Sequence, residues 1–215
     1  KMIQDYFAPI PKGNEVTPIN IKEEPITEQI NATYNDPNIQ LPAIVTAYRT
    51  PSMKNKDAYV LDMISSYLST GKSSVLYKKL VDTKKMAIQA GAINASQEDY
   101  GTYILYGLPQ GETKLEDLIK EIDEEIILMQ TELISDRSYQ KLQNQFENNY
   151  VNSNSSVEGV ANSLARYHVL YGDTNLINSE IDIYRSITRE EIQTVAKKYL
   201  NPNQRLILEY LPKTN

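Results

Sequence analysis

Apolar positions along the chain switch between two periods, and the switches mark its elements. Met2, Ile3, Tyr6 and Phe7 fall at helical spacing until Pro9 and Pro11 stop the pattern. Residues 14–40 are rich in Pro, Asn, Thr and Glu and hold two short candidate strands, INIKEE and QINATY. From Leu41, LPAIVTAYRT is apolar and β-branched and closes on Pro51, which predicts a strand. The period then turns helical: Ala58, Leu61, Ile64, Ser65 and Leu68 share one face over 57–68. After Gly71 a second helix is expected from Ser73 to about Lys84, with Val75, Leu76, Leu80 and Val81 inward and Ser73 or Ser74 as N-cap. MAIQAGAINASQ and GTYILYGLP, separated by EDYG, read as a hairpin.

The remainder is mostly helical. Leu115, Leu118, Ile119, Ile122 and Ile126 form one stripe, and Asp136 lies near the start of the next helix. SVEGVANSLARYHVLYG ends on Gly172, a fitting residue just past a helix C-terminus. Thr188 and Glu191 form a capping box at the head of TREEIQTVAKKYL, and QRLILEYLP follows Asn201-Pro202 as a last strand. Strand, two helices, two strands, several helices and a final strand predict an α+β fold, a mixed or antiparallel sheet with helices packed on one face.

Charge and composition narrow the function. The net charge is −6 with no basic stripe, which excludes nucleic acid as a partner, since phosphate affinity comes from Lys and Arg. There is no Cys, so neither a disulfide framework nor a thiolate zinc site exists. No apolar run is long enough for a membrane span. Sixteen Tyr against two Phe and no Trp suit half-exposed faces, where a ring is buried and its hydroxyl stays wet. The chain opens in mid-helix without Met, so a piece of a longer protein is expected. Asn31-Ala-Thr33, Asn94-Ala-Ser96 and Asn154-Ser-Ser156 fit the glycosylation pattern, which arises readily by chance.

Candidate chemistry is sparse. The one His, His168, has Leu164, Ala165, Tyr171 and Gly172 as helical neighbours, none a ligand, so it reads as a partly buried packing residue. The carboxylate pairs in EIDEE and REEI read as solvated helix faces. Gly71, Ser73 and Ser74, with Lys72, make the best anion loop, a Gly-Lys-Ser-Ser at a helix start. Ser66 stands where the first Gly of a phosphate-binding loop would lie and no strand precedes it, so a tight turn with a serine cap is the simpler reading.

Residues 41–211 resemble the C-terminal half of the pitrilysin-type (insulinase-like) zinc metallopeptidases, the inverzincin group that includes mitochondrial processing peptidase. PAIVTAYRTP, DAYVLDMISSYLS, GKSSVLYKKLVDTKKMAIQAGA, GTYILYG and KKYLNPNQRLILEYLP carry the resemblance. It implies a LuxS/MPP-like half-domain over 41–215, with 1–13 the end of a preceding domain and 14–40 a linker. That preceding domain would bind zinc through His-x-x-Glu-His and a distant Glu, so the resemblance places no cofactor and no metal or catalytic residue in this chain. This half would be inactive alone, forming the chamber wall that encloses peptide substrates. In many relatives it adds an Arg and, seven residues on, a Tyr that hold the substrate. Aligned through Ser74, Leu76, Met86 and Ala87, those positions are Val81 and Ile88, aliphatics that cannot hydrogen-bond a peptide. Lys84 and Lys85 lack the planar fork that would replace the Arg. The implied partners are the chain's own N-terminal domain and a second family subunit carrying the Arg and Tyr. A non-catalytic assembly subunit is the alternative. Bacterial relatives imply a periplasmic location by analogy only.

Overall fold

The computed structural model describes residues 1–17 and 24–213. Its strands are β1 (Ile30–Asp36), β2 (Ala43–Pro51), β3 (Ala87–Ala95), β4 (Tyr100–Pro109) and β5 (Leu206–Pro212). Its α-helices are α1 (Met2–Phe7), α2 (Lys56–Ser69), α3 (Leu115–Thr131), α4 (Asp136–Ser153), α5 (Val157–Arg166), α6 (Leu176–Ser186) and α7 (Arg189–Tyr199). Two π-helices, Tyr77–Thr83 and Tyr167–Tyr171, complete the described elements. QINATY lies within and just before β1, whereas INIKEE, apart from Glu24, falls outside the described residues.

The sheet runs β1-β5-β2-β4-β3. β1 pairs parallel with β5, and every other neighbouring pair is antiparallel, so the sheet is mixed. Alternation decides its faces. Ile44, Thr46, Tyr48 and Thr50 of β2 are buried under the helices, as are Tyr103 and Leu105 of β4 and Ile207 of β5. A Cβ on Gly107 would come within 3.3 Å of Leu118 Cδ1, so α3 presses directly on β4 there.

The helix over 57–68 was expected to bury one face. Instead α2 is buried nearly all round, including Tyr59, Val60 and Met63. The reason is its position: it packs on β3 and is flanked by α4, α6 and α7. The Asn55 side chain caps its start by accepting from Asp57 N at 2.9 Å. On α3 the predicted stripe buries Leu118, Ile122 and Ile126, extended by Met129. The Thr188–Glu191 capping box is formed in both directions at α7, and Gly172 closes the second π-helix at φ 75°.

The expected helix over 73–84 is a correction in kind. It begins as a short helical turn at Val75 and continues as a π-helix, with Lys84 N donating to Lys79 O at 2.9 Å. Neither serine side chain caps it. Leu76 and Leu80 are buried, while Val75 and Val81 are half-buried against the core. Over seven residues a 3.6 and a 4.4 period bury the same leucines, so the apolar pattern cannot separate them. The wider turn sets Lys79 Nζ 2.9–3.0 Å from carboxylates of Glu121, Glu124 and Glu125 on α3.

Polar ties fasten the helices to each other and to the sheet. Arg205, 3% exposed at the head of β5, donates to both carboxylate oxygens of Asp123 on α3, at 2.5 and 2.8 Å, and to Tyr48 OH at 2.9 Å. Between α2 and α7, Lys198 Nζ and Tyr199 OH donate to Asp57 at 2.7 and 2.8 Å, and Lys56 Nζ donates to Glu191 at 2.5 Å. Burial alone would raise Asp57, but the Lys198 and Tyr199 hydrogen bonds and the charges of Lys198 and Lys56 outweigh it and lower its pKa. The Lys56 hydrogen bond leads the causes that lower Glu191. Asp62 goes the other way: burial pushes it up despite donation from Asn94 Nδ2 at 2.9 Å and Tyr184 OH at 3.1 Å.

These directions fix the sign of an acid dependence. A lowered carboxylate contributes stability above its unfolded pKa and loses it as pH falls through the folded value; raised Asp62 does the reverse. Because the lowered groups outnumber Asp62, the melting temperature is expected to fall as pH drops from about 5 to 3, below the ordinary carboxylate range. Asp57→Asn should reduce that acid slope while lowering the melting temperature at pH 7. An unchanged slope in thermal melts would contradict the assignment.

Candidate functional site

The sequence-derived site residues lie along one continuous segment, from the turn after α2 through the first π-helix into β3. Gly71 takes φ +76°, a conformation that suits glycine, and reverses the chain. Its carbonyl accepts from Ser74 N at 3.0 Å, and the Ser74 carbonyl then accepts from Lys78 N at 3.1 Å. Ser73 is exposed, and its hydroxyl accepts from Lys141 Nζ at 2.5 Å. Ser74 is 2% exposed, and its hydroxyl has no partner among the described residues.

Val81 and Ile88 stand at the other end of this segment. Val81, in the π-helix, leans on the core. Ile88 is 51% exposed. The pairing of β3 with β4 slips between Ala87 and Gln89, so Ile88 is the extra residue of a β-bulge on an edge strand. An exposed aliphatic at a bulge contributes surface and no hydrogen bond, which is as far as its chemistry goes. Lys84, beside this junction, is committed to an ion pair with Glu121.

A cleft of about 590 Å3 opens at the serine end, between α2, the start of the π-helix and the first turns of α4. Ser73 lines it, but Gly71, Ser74, Val81 and Ile88 do not. The structure therefore divides the candidates between two places. The cleft's other polar walls, Ser66, Lys78, Arg137, Ser138 and Lys141, escaped sequence reasoning. Arg137 and Lys141 come from α4, 68 residues beyond Ser73 in the case of Lys141. The available signal was two cations in the first turns of a helix, where its positive end disfavours them.

Zinc does not fit here. His168, expected to be partly buried, is exposed on the second π-helix, where its neighbour Tyr167 is the buried residue. Among the described residues no three His, Cys, Asp or Glu side chains converge as a metal site. No described helix is long and apolar enough to cross a membrane.

The face of the sheet away from the helices is rich in apolar side chains. By register it carries Val45, Ala47, Ile104, Tyr106, Leu206 and Leu208, all half-buried, with Ile93 exposed toward the β3 edge. A contiguous apolar face of this kind marks an interaction surface.

Comparison with known proteins places this architecture. The family described as the peptidase M16 inactive domain matches residues 1–146. The zinc protease PqqE of Helicobacter pylori is 27% identical over 176 residues, which make up 80% of this chain and 39% of that protein. The crystal structure of a protease from Helicobacter pylori superposes with a TM-score of 0.88 at 23% identity, over 97% of this chain and 51% of that one. The inactive peptidase domain of a zinc protease from Bordetella parapertussis gives 0.72 at 20% identity, over 81% of this chain and 92% of that one. The chain thus spans about half or less of the two Helicobacter proteins and nearly all of the separate Bordetella domain.

The junction between π-helix and β3 turns on Lys85, which holds φ 52° without being glycine. A side chain in that region costs roughly 1–2 kcal/mol. Lys85→Gly is expected to be neutral or stabilising by up to about 1 kcal/mol, and Lys85→Val destabilising by more than about 1 kcal/mol. Urea unfolding decides it, and a neutral Val variant would show the turn to be unstrained.

Proposed function

The chain belongs to the M16 peptidases, as their inactive domain, and from that premise we propose that it is the half-shell facing a zinc-bearing half in a peptide hydrolase. The bare apolar sheet face carries the reading. A surface of this kind needs a cover, and the two Helicobacter proteins it resembles are about twice its length. The zinc-bearing N-terminal half is the cover, with residues 1–13 as its end, 14–40 as the connection and 41–215 as this domain. In the assembled protein the zinc half activates water, and this half closes the chamber around unfolded or short peptides. The π-helix and the bulge at Ile88 face that chamber. With Val81 and Ile88 aliphatic, the hydrogen bonds to substrate come from elsewhere, in a subunit carrying the Arg and Tyr.

The same two aliphatics favour a second reading, a non-catalytic assembly subunit that keeps the fold for binding. Zinc content separates the two. Under the first reading, the full-length protein binds zinc stoichiometrically and hydrolyses peptides until chelator is added, while this 215-residue chain alone does neither. A full-length protein without zinc would establish the scaffold. Chelator-sensitive hydrolysis by this chain alone would overturn both. Leu208→Glu on the bare face should weaken association with a separately produced N-terminal half by at least about tenfold, since it leaves a charge unpaired in an apolar contact.

A further inference from the structure

The cleft between α2, the π-helix and α4 has a polarity opposite to the rest of this acidic chain. Lys78, Arg137 and Lys141 line it, and no carboxylate does. Lys141 is held only by Ser73, and the side chains of Lys78 and Arg137 make no ion pair or hydrogen bond among the described residues. The nearest acid in sequence, Asp136, is turned to Arg189 instead. Ser66, on the α2 wall, has a buried hydroxyl without a partner among the described residues. An unpaired buried hydroxyl is costly unless something arrives to use it.

The position of the cations sharpens the point. α4 is an 18-residue helix whose start is capped by Ser135. Arg137, two residues past that cap, sits in the first turn at the positive end of the helix dipole, and Lys141 follows one turn on. Helix dipole, guanidinium and two ammonium groups all repel one another there. An anion in the cleft relieves the repulsion, and nothing within the lining does so. The lining is not uniformly polar, however. Tyr67, Val75 and Leu142 give it an apolar side, and Leu142 belongs to the core. A small inorganic anion would leave that side unused in a cleft of about 590 Å3.

We propose that this cleft binds the free carboxyl terminus of a peptide. The carboxylate is taken by Arg137, Lys141 and Lys78, with the Ser66 hydroxyl as a further donor. The apolar C-terminal side chain lies against Tyr67, Val75 and Leu142. The planar guanidinium of Arg137 suits a carboxylate in two-point contact. The site is distinct from Val81 and Ile88, and it does not rest on the chamber reading given above.

The test uses this 215-residue chain and three probes: acetyl-Ala-Leu with a free carboxylate, the same peptide as its amide, and inorganic phosphate. Titration is followed by calorimetry and by amide shifts in 15N spectra. The free acid is expected to bind saturably, with shifts in residues 66–78 and 137–142. The amide should bind at least about tenfold more weakly, the loss of one charge-assisted contact or more. Arg137→Met and Lys141→Met should each weaken the free acid by a similar factor, without changing the melting temperature by more than a few degrees, since both side chains are exposed. Raising the salt concentration should weaken it further. Equal binding of acid and amide, or no saturable binding of either, would overturn the proposal. Tighter binding of phosphate than of the free acid would also overturn it, leaving a general anion cleft. Should one variant fold poorly, the comparison of acid with amide on the unaltered chain still decides the matter.

Discussion

One constraint governs this molecule: its sheet has two apolar faces, and its helices cover one. Burial of α2 between β3 and the helices α4, α6 and α7 makes the covered face into a core. The other face alternates with it residue by residue, Ile44 in and Val45 out, Leu105 in and Tyr106 out. A strand cannot hide one set without presenting the other. The domain is therefore complete as a fold and incomplete as a surface.

The chain's charges serve the same division. Several fasten the covered side: Arg205 to Asp123 and Tyr48, Lys198 to Asp57, Lys56 to Glu191, Lys79 to the acidic stripe of α3. The exposed pairs among these, such as Lys56 with Glu191, contribute little each. Arg205 is the exception, since it is buried and bidentate, and removing it would strand Asp123 and the Tyr48 hydroxyl together. Lys78, Arg137 and Lys141 of the α4 cleft, by contrast, have no carboxylate partner among the described residues.

Local signals were legible in the sequence. The β3–β4 hairpin, the Thr188–Glu191 capping box, Gly172 and the stripe of α3 all follow from residues within a few positions of each other. The family could be read for the same reason, as an ordered series of such local pieces. What was not legible depends on distance or on fine geometry. The insertion of β5 between β1 and β2 is a pairing across most of the chain, which no local period encodes. The two π-helices differ from α-helices by closing each hydrogen bond one residue further along, a difference the apolar period over a few residues does not show. The bulge at Ile88 is equally silent in sequence. Of the candidate loop, only Ser73 reached a cleft, because the other wall comes from α4.

The central claim is that the bare sheet face is covered in the complete protein by its zinc-bearing half. Hydroxyl-radical footprinting tests it directly, comparing Tyr106 and Leu208 in this chain with the same residues in the full-length protein. The account predicts strong labelling of both in the chain alone and at least about tenfold slower labelling in the full-length protein, while exposed Val157 and Val169 on the helical side label equally in both. Equal labelling of Tyr106 and Leu208 in the two forms would mean that the face is never covered, and the half-shell account would fail.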